Sequence, residues 1–442
     1  MSVYAERRKK LLNMLPDRTL AVIPGGRIAD RNSDVTYPFR QDSNFQYLTG
    51  FPEPDAILLL VKTDDEVLSI LGVQPRNPEQ EVWTGRRAGP EGAVADYGMD
   101  HAVEIDSWTE ALTKYLTNVD HIAYELGRNT SMDETLIGVI RRHWTRPRLH
   151  RSGPDVWLDL ASFLSELRLF KDEKDHMLLR SAADAAVKGH VLGMQSVKPG
   201  LYEYQLQGAI EFGFRSHGGA GNAYNSIVAG GANATVLHYD TNREKLCSGD
   251  LVLVDAGCEV ECMASDITRT YPIHGKFSGP QRDLYNLVLE AQQEALDLVK
   301  PGATLELLHS RVIEVLSQGL LDLGFFESTL QDVIHGGDFR RYYMHRTSHW
   351  LGLDVHDVGS YAVGPDPRPF EPDMVFTVEP GLYVAENDEH APEAFRGIGI
   401  RIEDDILVTA DGHENLTSSC PKTCEDIEAT MQEAGLEMPV LS

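Results

Sequence analysis

Several things are scarce in this chain, and each scarcity excludes a class of protein. Cysteine comes first: five in 442 residues, an odd, low count that gives no basis for a disulfide framework. Cys258 and Cys262 share their spacing with Cys420 and Cys424. With no histidine partners nearby, these read as thiols in a reducing cytosol rather than as a metal clip. Basic residues are outnumbered, 40 Lys and Arg against 68 Asp and Glu, for a formal net charge of −28. Nucleic acid and anionic membrane, which both need basic surface, are therefore not expected as partners. No apolar run approaches the ~20 residues needed to span a bilayer. The N-terminus opens basic, but Asn13, Pro16, Asp17 and Arg18 interrupt any apolar core of a signal peptide. A cytoplasmic location is expected.

What is present is a globular composition, 42% hydrophobic, in a chain longer than a single core usually grows. Two domains follow. Residues 1–155 alternate strand-like runs at 20–23, 56–62 and 122–124 with helical windows at 108–116 and 132–143, an α/β pattern. Residues 156–175 read as a bridge, apolar at helical spacing over 156–169. Asp172 is an N-cap candidate for a helix reaching about Val197, where Pro199 and Gly200 stop it. Residues 176–442 form the second domain. There Val-Lys-Pro-Gly at 197–200 recurs at 299–302, each copy between helical windows. This faint repeat fits two similar α+β halves about a pseudo-two-fold axis, with ligands in the cleft between them.

Five residues of that domain stand out. Asp255 ends the apolar run 251–254, and Glu379 follows the apolar run 374–378. Asp266 opens a β-branched segment that can pair antiparallel with the Asp255 run, so that the two carboxylates face each other. Glu403 ends 397–403, whose strict alternation puts Ile398, Ile400 and Ile402 on one face. Arg401, Glu403 and two glycines share the other face, the glycines clearing space for a substrate or metal. Asp404 and Asp405 read as the polar end of that strand. His238, His345, His349 and His356 add imidazoles, three of them within twelve positions. Gly352 and the alternating apolars argue for extended or irregular backbone between His349 and His356. Carboxylates of this kind are costly to bury unpaired. With an imidazole they make a hard donor set for two divalent ions, which would neutralise the crowded charges.

The strings VDAGCE (254–259), SDITRTYPI (265–273), MHRTSHWLGLDVHD (344–357), TVEPGLY (377–383) and GIGIRIEDD (397–405) together resemble the pita-bread metallopeptidases, aminopeptidase P in particular. Segments 37–51 and 81–87 resemble that family's N-terminal domain, so the likeness spans nearly the whole chain. It implies an α/β N-terminal domain, used for oligomerisation and substrate-edge contacts, before a pita-bread α+β catalytic domain. It also implies release of the N-terminal residue from peptides with proline second, by a hydroxide bridging two metals. Those metals would be Mn²⁺, with Co²⁺ or Zn²⁺ as alternatives. Asp255 would chelate one metal, His349 and Glu379 the other, and Asp266 and Glu403 would bridge them. Glu379 would also shuttle the proton. His238 and His356 would contact the substrate carbonyl, and His345 and Tyr383 would line the pocket. Arg401 would orient Glu403, and Trp83 of a neighbouring subunit would edge the site in a dimer or tetramer. Arg346, Thr347 and Asp373 depart from the family pattern without removing a ligand. A prolidase cleaving Xaa-Pro dipeptides shares the metal site. A metal-free creatinase-like enzyme and a non-catalytic peptide-binding protein share the fold.

Overall fold

Short apolar runs separated by amphipathic stretches generate an α/β unit first. In the computed structural model, which describes residues 2–144 and 153–441, the chain divides into Met1–Arg168 and Leu169–Ser442. The first unit is built on a six-stranded sheet. Ile57–Lys62 runs antiparallel to Thr19–Pro24, which pairs in parallel with His121–Tyr124. Helices Trp108–Tyr115 and Thr130–Trp144 lay Leu112, Leu136 and Ile140 over Leu20, Val22, Leu59 and Ile122. Each such fully buried side chain contributes roughly 1.5–3 kcal/mol relative to exposure.

One boundary differs from the sequence reading. Val156–Asp159, expected to open the bridge, is the outer strand of this sheet, parallel to His121–Tyr124. Val156, Leu160 and Leu164 fall at helical spacing, which conceals a four-residue strand whose backbone groups are taken up by its neighbour. The helix begins only at Leu160.

In the second unit Asp172 caps helix Glu173–Ser196 through a capping box with Asp175. Helix Glu203–Ser216 follows the first Val-Lys-Pro-Gly stop. Gly279–Asp297 and Leu305–Asp322 flank the second. The two copies also match in detail. Gly200 and Gly302 are left-handed, with φ of +93° and +90°, and donate to the carbonyls of Leu246 and Phe370. Tyr202 and Thr304 then each make an isolated antiparallel bridge. The repeat is thus structural.

Each half adds a three-stranded antiparallel sheet. The first contains Ile227–Gly230, Leu251–Asp255 and Thr268–Pro272; the second contains Val375–Val378, Asp404–Val408 and His413–Asn415. Gly381–Tyr383 pairs separately with Gly399–Arg401. One buried cluster unites the halves, from Ile210, Val254 and Leu284 to Phe376, Ile402 and Ile406. Among the described residues, no helix is long and apolar enough to cross a membrane.

Candidate metal centre and substrate pocket

The strand ends of the two halves open on one cavity of about 1140 Å³. Asp255 is the last residue of its strand and lies opposite Thr268, not opposite Asp266. Asp266 arrives from the connecting turn instead. That turn depends on Gly257, where any Cβ would come within 1.8 Å of the Ser265 carbonyl oxygen. Only glycine lets the chain double back so tightly. The Tyr224 hydroxyl then lies 2.6 Å from Asp255 Oδ1 and 2.5 Å from Asp266 Oδ1, linking the two acids.

Glu403 follows strand Gly399–Arg401 and accepts from the Thr268 hydroxyl at 2.6 Å. Glu379 follows strand Val375–Val378, its N–H bonded to the Thr347 carbonyl at 2.8 Å. His349 Nε2 stands 3.4 Å from Asp266 Oδ2 and 3.6 Å from Glu379 Oε1. Its Nδ1 lies 3.0 Å from the Trp350 carbonyl and can only donate there, which in the neutral ring leaves Nε2 as an acceptor. A neutral ring would offer Nε2 to a cation held together with Asp266 and Glu379, whereas a protonated ring donates to those carboxylates itself. Ligand atoms of Asp266, His349 and Glu403 all lie within 4.8 Å of one another, a fitting all-oxygen-and-nitrogen donor set.

The electrostatics agree. Burial pushes the Glu379 carboxyl up to about 7, with Asp266 and Asp255 adding to it against His349 and Arg401. Burial, then Asp266, Glu379 and Asp255, hold Glu403 well above the usual carboxylate range, with Arg401 opposing. Asp255 is raised by burial, with Arg401 opposing. For His349 burial disfavours the charged ring, yet Asp266 and Glu379 outweigh it and lift the imidazole to about 9. These acids are crowded enough to favour added positive charge.

His238, His345, His356 and Arg401 reach the same cavity. The His356 ring stands 4.3 Å from that of His349, edge to face. His345 Nε2 lies 2.8 Å from the Tyr383 hydroxyl, and burial followed by the Arg401 charge lowers its pKa to about 3, so the ring is neutral. Arg401 holds Asp255 directly at 2.5 Å and is linked by hydrogen bonds to Glu403 through Thr268. Tyr383 does not line the wall; it sits buried behind His345 and Arg401. Trp83 belongs to the first unit, where it stands 87% exposed on helix Pro78–Thr84.

Two further expectations are corrected. Asp404 and Asp405 are not a solvated strand end. Both are buried, Asp404 paired with Arg269 at 2.7 Å and Lys422 at 2.8 Å. Asp405 receives the Asp266 N–H at 3.1–3.2 Å. The opening at Gly399 admits the protein's own backbone, since a Cβ there would lie 2.1 Å from the Ala234 carbonyl oxygen. Tyr224, Thr268 and Asp405 carried no sequence signal of their own. Thr268 and Asp405 lay inside marked strings without a site role assigned to them, and nothing marked the neighbourhood of Tyr224.

Comparison with known proteins agrees with this geometry. Residues 177–410 match the model of metallopeptidase family M24, and residues 4–124 that of the aminopeptidase P N-terminal domain. The chain is 42% identical over 428 residues to a Xaa-Pro aminopeptidase of Haemophilus influenzae, covering 97% of this chain and 96% of that one. An aminopeptidase structure from Pseudomonas aeruginosa superposes with a TM-score of 0.95 at 42% identity, covering 97% of both chains. Zinc-substituted Escherichia coli aminopeptidase P with product bound gives 0.95 at 39% identity and 98% coverage of each. The chain belongs to the aminopeptidase P group of metallopeptidase family M24.

Proposed function

We propose that this protein is a metal-dependent Xaa-Pro aminopeptidase that releases the N-terminal residue from peptides with proline at position two. The observation that carries the reading is the convergence of Asp255, Asp266, His349, Glu379 and Glu403 on one cavity floor, in a chain similar along its length to Xaa-Pro aminopeptidases. These five residues would hold two divalent cations. Mn²⁺ suits the oxygen-rich donors, with Co²⁺ or Zn²⁺ as alternatives. Bound there, the cations supply Lewis acidity and an activated water.

The chain's own groups do the rest. Glu379 carries the proton to the leaving proline nitrogen, since a tertiary amide cannot depart as an anion. His238 and His356, on the wall, donate to the carbonyl oxygen as it gains charge. His345, kept neutral by burial and oriented by Tyr383 behind it, shapes the proline side of the pocket. Arg401 fixes Asp255 and, through Thr268, Glu403. The protein acts in the cytoplasm, a reading supported by five cysteines of which none is joined in a disulfide. It assembles as a dimer or tetramer in which Trp83 edges a neighbouring site. The adjacent exposure of Val82 and Trp83, 82% and 87%, supports an interface there.

The test is Mn²⁺-supplemented hydrolysis of Gly-Pro-Ala beside Gly-Pro, with a chelator control. Glycine released from the tripeptide and lost on chelation is the expected result. Cleavage of the dipeptide alone would make the protein a prolidase. Tight peptide binding without turnover would make it a binding protein.

A further inference from the structure

His238 sits in an irregular turn, exposed on the cavity side, so its position depends on what anchors that loop. The anchor is Glu203, on the first turn of helix Glu203–Ser216. Its side chain is fully buried and accepts four hydrogen bonds from donors on both sides of His238. Oε1 receives the Gly230 N–H at 2.8 Å and Asn233 Nδ2 at 3.0 Å. Oε2 receives the Tyr239 hydroxyl at 2.8 Å and the Glu244 N–H at 2.9 Å. The Glu203 N–H closes the ring by donating to the Glu244 carbonyl at 3.0 Å. On either side of His238, Leu237 and Tyr239 pack against a buried cluster that includes Tyr383 and Ala234. Ala234 in turn abuts Gly399, two residues before Arg401.

We infer that Glu203 is a positioning residue for His238, its one carboxylate fixing both ends of the loop that presents this imidazole. The inference rests on the reading of His238 as a substrate-facing group. A buried carboxylate with four neutral donors is a demanding arrangement. An isosteric amide cannot replace it, because the amide nitrogen would meet two donors with a third.

The test uses the full-length, Mn²⁺-loaded protein. Glu203→Gln should lower kcat/KM for Gly-Pro-Ala roughly 10- to 100-fold, as expected when a reacting geometry slips by about 1 Å, with metal content unchanged. Because Glu203 acts through His238, the same change in a His238→Ala background should cost less than about 3-fold more. A full multiplicative loss in that background would overturn the inference, as would an unchanged rate in the single variant. If Glu203→Gln fails to fold, Tyr239→Phe removes one of the four bonds and should cost roughly 2- to 10-fold in the same cycle. Spectra of diamagnetic, Zn²⁺-loaded protein labelled at the histidine ring carbon give a second readout. The His238 resonance, identified by its loss in His238→Ala, should move in Glu203→Gln or Tyr239→Phe while that of His190 stays. An unmoved His238 resonance refutes the positioning role. A wild-type protein that leaves Gly-Pro-Ala intact would sink the aminopeptidase reading alone, because the resonance still decides the role of Glu203.

Discussion

Replacing Thr268 by valine changes one hydroxyl for one methyl at a fully buried position and so isolates a single link. The hydroxyl donates to Glu403 Oε2 at 2.6 Å and accepts from Arg401 Nε at 3.1 Å. Arg401 in turn holds Asp255. Valine leaves the guanidinium N–H and the carboxylate oxygen each without this partner, and bonds to charged groups are worth about 1.5–3 kcal/mol each. If Glu403 and Asp255 are metal ligands, losing the group that orients both should weaken metal binding about 10- to 100-fold. That range corresponds to roughly 1.4–2.7 kcal/mol. Competition with a chelator of known affinity, read by residual metal content, measures the change. Thr268→Ser keeps the hydroxyl and should bind near normally. Affinity in Thr268→Val within about 2-fold of wild type, with the fold intact, would refute the link.

Three other expectations concern stability. Asp404→Ala strands Arg269, which is fully buried, and should cost about 3–5 kcal/mol in urea unfolding; a midpoint near wild type would contradict that burial cost. His190 is buried against the Ala256 carbonyl, 2.8 Å from Nε2, and burial lowers its pKa from 6.5 to about 4. The unfolded chain therefore takes up this proton first. Its contribution is intact above pH about 6.5 and lost progressively toward pH 4, about 3 kcal/mol in all. Urea unfolding of wild type against His190→Gln at pH 7 and pH 4.5 should show this difference, and parallel pH profiles would exclude it. Asp373 is left-handed at φ +74°, which strains a residue with a Cβ. Asp373→Gly should raise stability by up to about 1 kcal/mol, because the 3.5 Å contact with His176 is half exposed and worth little; a lower urea midpoint in the variant would refute the strain.

The residues of the candidate site stood out where a charge broke an apolar run. Asp255, Glu379 and Glu403 each end or follow a strand whose other residues are buried, and a charge in that place needs a reason. The Val-Lys-Pro-Gly repeat was legible because a helix stop of fixed backbone needs the same residues twice. What was hidden depends on pairing between distant segments. The strand Val156–Asp159 carries helical spacing and becomes a strand only because His121–Tyr124 has a free edge. Asp404 and Asp405 look like a polar terminus, yet they open the strand Asp404–Val408 rather than close one. The partners of Asp404, Arg269 and Lys422, lie 135 and 18 residues away, and Asp405 is bonded by the Asp266 N–H, 139 residues away. Gly399 reads as room for a ligand, and only the fold shows that Ala234 fills it.

The distribution of charge across the junction of the two halves explains which side attracts cations. Bonds cross it repeatedly: Thr268 to Glu403, Arg401 to Asp255, Arg269 to the Glu403 carbonyl and the Asp404 carboxylate, and the Asp266 N–H to Asp405. On the side away from the cavity, Arg269 and Lys422 both contact Asp404 and hold its carboxyl well below the usual range despite burial, while burial and Asp266 push Asp405 strongly upward, toward its neutral form. Negative charge there is matched or suppressed. On the cavity side Asp255, Asp266, Glu379 and Glu403 face Arg401 and His349 as basic partners, with the neutral His345 ring 3.8 Å from Glu379. A lone arginine and one imidazole leave four acids undercompensated, and crowded carboxylates that cannot all be neutralised by neighbours favour divalent ions. The junction therefore closes its rear with its own arginine and lysine, and on the proposed reading its front would be completed by metal.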